Sequence, residues 1–378
     1  MIKKCIAFSL ILIILLFTLT GCYDSNGIEN FYYIVALGID KAKNNSISLS
    51  IQIAKSTSSS EASTSQSSEY KIYTVDCESI ESGINILNNY LNKKINLSHC
   101  SAIVFSEEIA KEGVKSYINI LGNDTEIRPS CNLLISSGTA YDVLDKVSNS
   151  GESFSSRLYE YILHSVDYTG YTIDSTFAHF FSRINTELTQ PIAIYTVVNE
   201  DTIQNSGAAI FNDDIMLGTI PPLQTIAHLM ITDELDSCMI SVDSPFNEGE
   251  LVDLNLKKCT APQVDVHLMN HTPFITVRLS VKGSINSSGE SFDYTIPENI
   301  KMVEQATNQY LEKLIREYLY TITKEYNSDV VGFNGILASK FLSTDEFEKV
   351  HWNEIFKDSF FKIEVDTKIT SSHLFNKE

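Results

Sequence analysis

A few residues in this chain have types and spacings that could do chemistry. His267 and His271 lie four apart, which on a helix would aim two imidazoles at one metal ion. They fall instead on a strand and the turn after it, with Pro273 close behind, and a metal is not expected there. Glu107-Glu108 could act as an acid–base pair, but adjacent side chains on a helix diverge. Asp213-Asp214 could bind a cation, although a turn favours aspartate for its local hydrogen bonds. Cys77, Cys100, Cys131, Cys238 and Cys259 show no Cys-x-x-Cys spacing, so neither a disulfide framework nor a zinc site is indicated; a single disulfide stays open. Gly-x-x-x-x-Gly-Lys, Gly-x-Gly-x-x-Gly, Gly-x-Ser-x-Gly and His-Glu-x-x-His are absent. A dispersed Ser-His-Asp triad stays open, with nothing to favour it. The expectation is a non-enzymatic chain without cofactor or metal.

Cys22 is the one residue with a clear chemical role. Lys3 and Lys4 precede an apolar run from Ile6 to Leu19, and the run stops at Leu19-Thr20-Gly21-Cys22. A charged start, an apolar middle and a small-residue end mark residues 1–21 as a signal peptide. The run is shorter than the ~20 residues a spanning helix needs. Leu-Thr-Gly-Cys resembles the bacterial lipobox, in which the cysteine thiol is alkylated by diacylglycerol and becomes the first residue. Acyl chains of the palmitate kind contribute ~0.8 kcal/mol per buried methylene, and two on one cysteine suffice for stable anchoring. The formal charge of −20 repels phosphate backbones, so no nucleic-acid partner is expected, and it disfavours adhesion to anionic lipid by charge alone.

The remaining length suits two or three domains. Residues 22–30 read as a polar tether. Residues 31–199 form an N-terminal α/β region, two subdomains being one reading of it. Strands there are expected at Phe31–Ile39, Ser46–Ala54, Tyr70–Val75, Ala102–Phe105, Cys131–Ile135 and Ile192–Val198. Ile80, Ile84, Leu87 and Leu91 mark an amphipathic helix, Ser106 is a helix N-cap, and further helices are expected at Ala140–Val147, Phe154–Val166 and Phe177–Ile184. Ser56–Ser68 is a Ser/Thr-rich stretch that reads as a mobile loop. Polar Asn199–Asn205 leads into a C-terminal region, 204–374. Gly207–Phe211 and Ile215–Ile220 make a hairpin, Pro221-Pro222 breaks the strand before a short helix around Leu223–Met230, and an antiparallel series follows from Ser237 to Val281. Pro297 opens the longest helix, expected to reach about Tyr326 with one apolar stripe. A last strand covers Phe360–Ile369. The fold class is α+β, with mixed and antiparallel sheets and a long helix near the C-terminus.

The order of short motifs resembles the Ger(x)C family of spore germination proteins. Cys22-Tyr23-Asp24 is similar to that family's Cys-Trp-Asp start, and Val35-Ala36-Leu37-Gly38-Ile39-Asp40 to its first strand. Ser98-His99 ahead of Ile103–Gly113 follows its His–strand–Glu-x-Ala-x-x-Gly run. Glu126-Ile127-Arg128-Pro129 is among the more distinctive matches. Gly207–Phe211 with Leu217-Gly218 resembles its hairpin, and Asp329-Val330-Val331-Gly332-Phe333 followed by Trp352 and Phe356 its ending. Cys77-Glu78 and the Ser56–Ser68 insertion depart from the pattern. The resemblance implies a lipoprotein subunit of a nutrient germinant receptor on the outer face of the spore inner membrane, with polytopic A- and B-type subunits as partners. It implies structural or subunit-contact roles for Gly38, Asp40, His99, Glu126, Arg128, Pro129, Gly207, Gly218, Asp329, Gly332, Phe333 and Trp352. Glu126 and Arg128 could be a surface pair or a subunit contact. A solute-binding lipoprotein serving a transporter is the alternative; it would show two doubly wound lobes about a cleft.

Overall fold

A computed structural model of the chain describes residues 27–54, 70–149, 169–200, 202–288 and 296–372, with Ile6 and Ser9 besides. Cys22, most of the tether, the Ser56–Ser68 loop and the helix expected at Phe154–Val166 lie outside the described residues.

The N-terminal elements follow the residue periodicities. Phe31–Lys41 (β1) and Ile47–Ala54 (β2) form a hairpin around Asn44, which takes the left-handed conformation (φ 60°) that asparagine tolerates. Tyr70–Cys77 (β3) leads through a capping box, Ser79 with Ser82, into Ile80–Tyr90 (α1). Lys94–Asn96 (β4) and Ala102–Ser106 (β5) come next, then Glu107–Glu112 (α2), begun by the Ser106 N-cap, and Lys115–Asn123 (α3). Asn132–Ser136 (β6), Ala140–Asn149 (α4), Phe177–Ile184 (α5), Ile192–Val198 (β7), Ile203–Asn212 (β8) and Ile215–Ile220 (β9) complete this part.

These strands form one sheet in the order β3-β2-β1-β5-β6-β7-β8-β9, with β4 beside the start of β1. Its centre is parallel (β1, β5, β6, β7) and both flanks are antiparallel. Every residue of β5 is buried, as a parallel strand covered on both faces requires. Alternate residues serve two cores. Ala36, Val104, Leu134 and Ile194 face α4, whereas Leu37, Ile103, Phe105 and Ile135 face the layer of α1, α2, α3 and α5.

The polar run 199–205 covers the step from β7 to β8 and the first three residues of β8, which pair with β7 in the same sheet. The second part begins with Pro222–Thr232 (α6), started by Pro222 in the first turn. Ser237–Asp243 (β10), Leu251–Lys258 (β11), Gln263–Met269 (β12) and Thr272–Ser288 (β13) are antiparallel neighbours in the order β10-β11-β13-β12. Pro297–Tyr320 (α7) ends in a π turn over Thr321–Glu325, so the long helix stops being α-helical a turn before Tyr326. Val303, Thr307, Leu311, Leu314, Ile315 and Tyr318 form its buried stripe. Phe333–Ala338 (α8), Thr344–Glu348 (α9) and Trp352–Ile355 (α10) lead to Phe360–Ser372 (β14).

Strand β14 runs parallel to β13, with α7 in the crossover between them. Its outer edge is partly closed by that helix: Thr367 N donates to Asn308 Oδ1 and Ile369 N to Glu304 Oε1, each at 2.9 Å. The α4-side core of the first sheet continues through α6 into the core of the second. The α+β class holds, with mixed sheets and the long helix in its expected place.

Candidate functional site: joints built from the motif residues

The Asp-x-x-Gly-Phe segment forms the tightest joint. Asp329 is buried, and its carboxylate takes four donors. Oδ1 accepts from Gly332 N (2.9 Å) and Phe333 N (3.0 Å), while Oδ2 accepts from Asn334 N (2.7 Å) and Trp352 Nε1 (3.0 Å). Three of these are backbone groups at the start of α8, where an anion suits the helix end. Gly332 is left-handed (φ +87°), and a Cβ there would lie 2.6 Å from Thr189 Oγ1. Phe333 and Trp352 flank Phe356 with ring centroids 6.3 and 5.4 Å away. Burial pushes the Asp329 carboxyl up to about 6 despite its donors.

This joint fastens the two parts of the chain together. Gln190 N donates to Asp329 O (2.9 Å), Ser328 Oγ to Phe211 O (2.5 Å), and Asn334 Nδ2 to Glu187 O (2.8 Å). Gln190 also receives Asp213 N on its side-chain oxygen at 2.6 Å. Tyr326 Oη reaches Thr219 O (3.0 Å) directly above Gly218, where a Cβ would stand 2.5 Å from that hydroxyl. Gly207 (φ +79°) lets β8 pass so close to β9 that a Cβ would lie 2.0 Å from Ile220 O.

Gly38 and Asp40 work together on β1. Asp40 Oδ1 accepts from Ala140 N (2.6 Å) and Oδ2 from Tyr141 N (2.9 Å), so this carboxylate caps α4 from across the sheet. Gly38 leaves room for the same helix, since its Cβ would meet Ala140 Cβ at 3.2 Å. Burial raises the Asp40 carboxyl, and the two backbone donors oppose that rise.

At the opposite end of the sheet, where β1, β5 and β6 begin, Glu126 is a clamp. Its Oε2 accepts from Leu97 N (2.7 Å) and its Oε1 from Asn96 Nδ2 (3.0 Å). The carboxylate is thus directed to the β4–β5 turn and away from Arg128, which is exposed together with Pro129. The backbone of this turn is engaged all the same: Pro129 O receives Ala178 N (3.0 Å) and Arg128 O receives Cys131 N (3.0 Å). His99 is exposed as well, edge-on to Tyr33 with ring centroids 4.5 Å apart.

The other chemically capable residues have local partners. Glu107 receives the Tyr195 hydroxyl (2.6 Å) and pairs with Lys111, while Glu108 turns to Lys41 at 3.7 Å. Asp214 Oδ2 accepts from Lys115 N (3.2 Å) and its carbonyl from Val114 N (3.0 Å), which ties the β8–β9 turn to the start of α3. His267 stacks on Phe274 and lies 3.3 Å from Asp265, and His271 sits in the β12–β13 turn at φ 65°. Among the described residues no group of three or more His, Cys, Asp or Glu is placed to hold a metal. Sequence reasoning missed His228 and its pairing with Tyr318, whose side chains meet at 2.6 Å in the core between α6 and α7. Burial pushes His228 down to about 3, so it is neutral. It also missed Gln190, Ser328 and Asn334, which carry no local periodic signal.

Comparison with known proteins agrees with this arrangement. Residues 24–198 match the family model described as spore germination protein N-terminal domain, and residues 206–373 match spore germination B3/GerAC like, C-terminal. The chain belongs to this family of spore germination proteins. YfkR of Bacillus subtilis (strain 168) is 23% identical, over 94% of this chain and 93% of its own length. Spore germination protein KC of that strain is 21% identical, over 94% and 92%. Spore germination protein B3 is 22% identical, over 95% and 96%. The crystal structure of the GerBC protein shares the fold, with a TM-score of 0.58 at 17% identity, covering 88% of this chain and 96% of that one.

Proposed function

We propose that the chain is a non-enzymatic subunit of a nutrient germinant receptor. It is anchored through a diacylglyceryl group on Cys22 to the outer face of the spore inner membrane, beside polytopic A- and B-type subunits. The observation that carries the reading is the match to both family segments, which together run from residue 24 to residue 373. Other features support it. The buried motif carboxylates, Asp40 and Asp329, are directed to backbone N–H groups and an indole, which is the work of a rigid scaffold. No helix among the described residues is long and apolar enough to cross a membrane, which suits attachment through a lipid. His99, Arg128 and Pro129 lie at the sheet end where β1 follows the tether. In this reading they form a membrane-proximal rim for subunit contact, and the buried joints keep that rim in shape.

Affinity purification from dormant-spore membranes tests the proposal. Two polytopic subunits are expected to co-purify with the wild-type chain, and to be lost or depleted with Cys22→Ala. Deleting the gene in a strain cleared of paralogous receptors is expected to abolish the response to at least one nutrient. Unchanged germination with every nutrient tried, together with purification of the chain alone, rejects the reading.

A further inference from the structure

Cys100 and Cys131 stand apart from the other cysteines. Each is 1% exposed, and they occupy the two turns that deliver the chain into neighbouring parallel strands, β5 and β6. Ala102 pairs with Asn132, and Asn132 N donates to Ser101 O at 2.9 Å, so Cys131 stands opposite Ser101, one position along from Cys100, and both cysteines belong to the same core. Neighbouring strands are ~4.8 Å apart and one position along a strand adds ~3.3 Å, a Cα separation of about 6 Å that a disulfide spans. One clamp holds both turns: Glu126 grips Asn96 and Leu97 of the first, and Cys100 N closes that turn on Leu97 O (2.9 Å). Cys131 N closes the second on Arg128 O (3.0 Å). The Cys100 thiol donates to Ala102 O (3.3 Å) and the Cys131 thiol to Asn132 O (3.8 Å), and the neighbouring Cys100 thiol together with burial pushes the Cys131 thiol well above its ordinary range.

We infer that Cys100 and Cys131 form a built dithiol site that closes to a disulfide when the chain folds in a thiol–disulfide buffer. A thiolate of one cysteine attacks a sulfur of a small disulfide such as oxidised glutathione, giving a mixed disulfide and releasing one glutathione thiolate. The second cysteine thiolate attacks the protein sulfur of that mixed disulfide and releases the second glutathione. Two protein thiols are oxidised, one glutathione disulfide is reduced to two thiols, and the protons leave with those thiols. The order of events follows from the packing: buried thiols with few thiolates react slowly, so the bond forms while the turns are still open. Only the oxidising compartment rests on the export reading above.

The test uses the purified full chain in detergent, reduced and unfolded, then refolded with reduced and oxidised glutathione. Free thiols are alkylated under denaturing conditions, and peptides are mapped without reduction. A peptide joining Cys100 to Cys131 is expected, lighter by two hydrogens than its parts, with Cys77, Cys238 and Cys259 alkylated. The oxidised chain is expected to melt about 5 °C or more above the reduced one. Cys100→Ala and Cys131→Ala should each leave the other thiol alkylated and remove the sensitivity of Tm to reductant. Full alkylation of Cys100 and Cys131 in the refolded wild type, or reductant sensitivity that persists in either variant, overturns the inference. A bond that closes in glutathione while chain taken from membranes is fully reduced upholds the site and counts against export.

Discussion

Two carboxylates of the matched motifs, Asp329 and Glu126, do related work in opposite settings. Asp329 is buried between the two parts of the chain, and three of its four donors belong to buried residues, Phe333, Asn334 and Trp352. Glu126 is half-buried at the tether end of the first sheet, and the residues following it, Arg128 and Pro129, face solvent. A carboxylate surrounded by donors in a buried joint cannot be replaced without leaving those donors unsatisfied. A carboxylate at a rim holds a turn whose outer face is free to meet something else. Motif residues of one family thus divide into joints that set shape and a rim that the shape presents.

That division can be broken by measurement. Asp329→Ala leaves four donors unpaired in the interior and is expected to cost about 3–5 kcal/mol in urea unfolding. Gly207→Ala forces a side chain into a left-handed position against Ile220 O, with an expected loss of about 2–4 kcal/mol by the same assay. Glu126→Ala frees Leu97 N and Asn96 near solvent, and a smaller loss of about 1–2 kcal/mol is expected. Arg128→Ala should change stability by less than about 0.5 kcal/mol while lowering co-purification of the receptor partners. An Arg128 variant as unstable as the Asp329 variant would erase the distinction between joint and rim.

The dependence of stability on pH sharpens the same comparison. Asp329 titrates near 6 in the fold against 3.8 for a free carboxyl, so the fold binds its proton more tightly than the unfolded chain does. Its contribution is most favourable below about 4 and is lost as pH rises through about 6. His228 has the opposite sign. With its folded value near 3 against 6.5, its contribution is present above 6.5 and lost as pH falls toward 3. Urea midpoints of wild type and Asp329→Asn between pH 4 and 7 separate them. The variant is expected to keep the histidine slope and lose the opposing one.

Much of the element order was legible because it rests on local signals. Alternation at Ser46–Ala54, the Ser106 cap, Pro222 and the stripe on α7 each act within a few residues, and each element formed where its signal stood. Strand β4 was not foreseen, because three residues beside β1 are too short to show a period. Nor was the parallel pairing of β14 with β13, since its direction is set by the crossover through α7 and not by its own residues. At the joints, the acceptors Asp40, Glu126 and Asp329 were visible as motif residues. The donors to Asp329 came mostly from its own motif, Gly332, Phe333 and Trp352, but those to Asp40 and Glu126 were not visible: Ala140 N lies 100 positions from Asp40, and Leu97 N 29 positions from Glu126. Distant backbone donors carry no side-chain signature, so at those two joints the sequence marks only one half of the bond.

The β8–β9 hairpin has a consequence for how the chain is made. All but its first three residues lie in the stretch matched by the C-terminal family model, yet it completes the sheet of the N-terminal one. A ribosome that has delivered everything through Val198 has produced Ile-Ala-Ile-Tyr-Thr-Val-Val with one bare flank, a sticky template for any other extended chain. The residues through Asn212 must emerge before β8 can cover that flank, and Asp329 arrives later still to lock the result. Synthesis therefore imposes a vulnerable interval early and a latch late, and a cut at the β7–β8 connection would make the interval permanent.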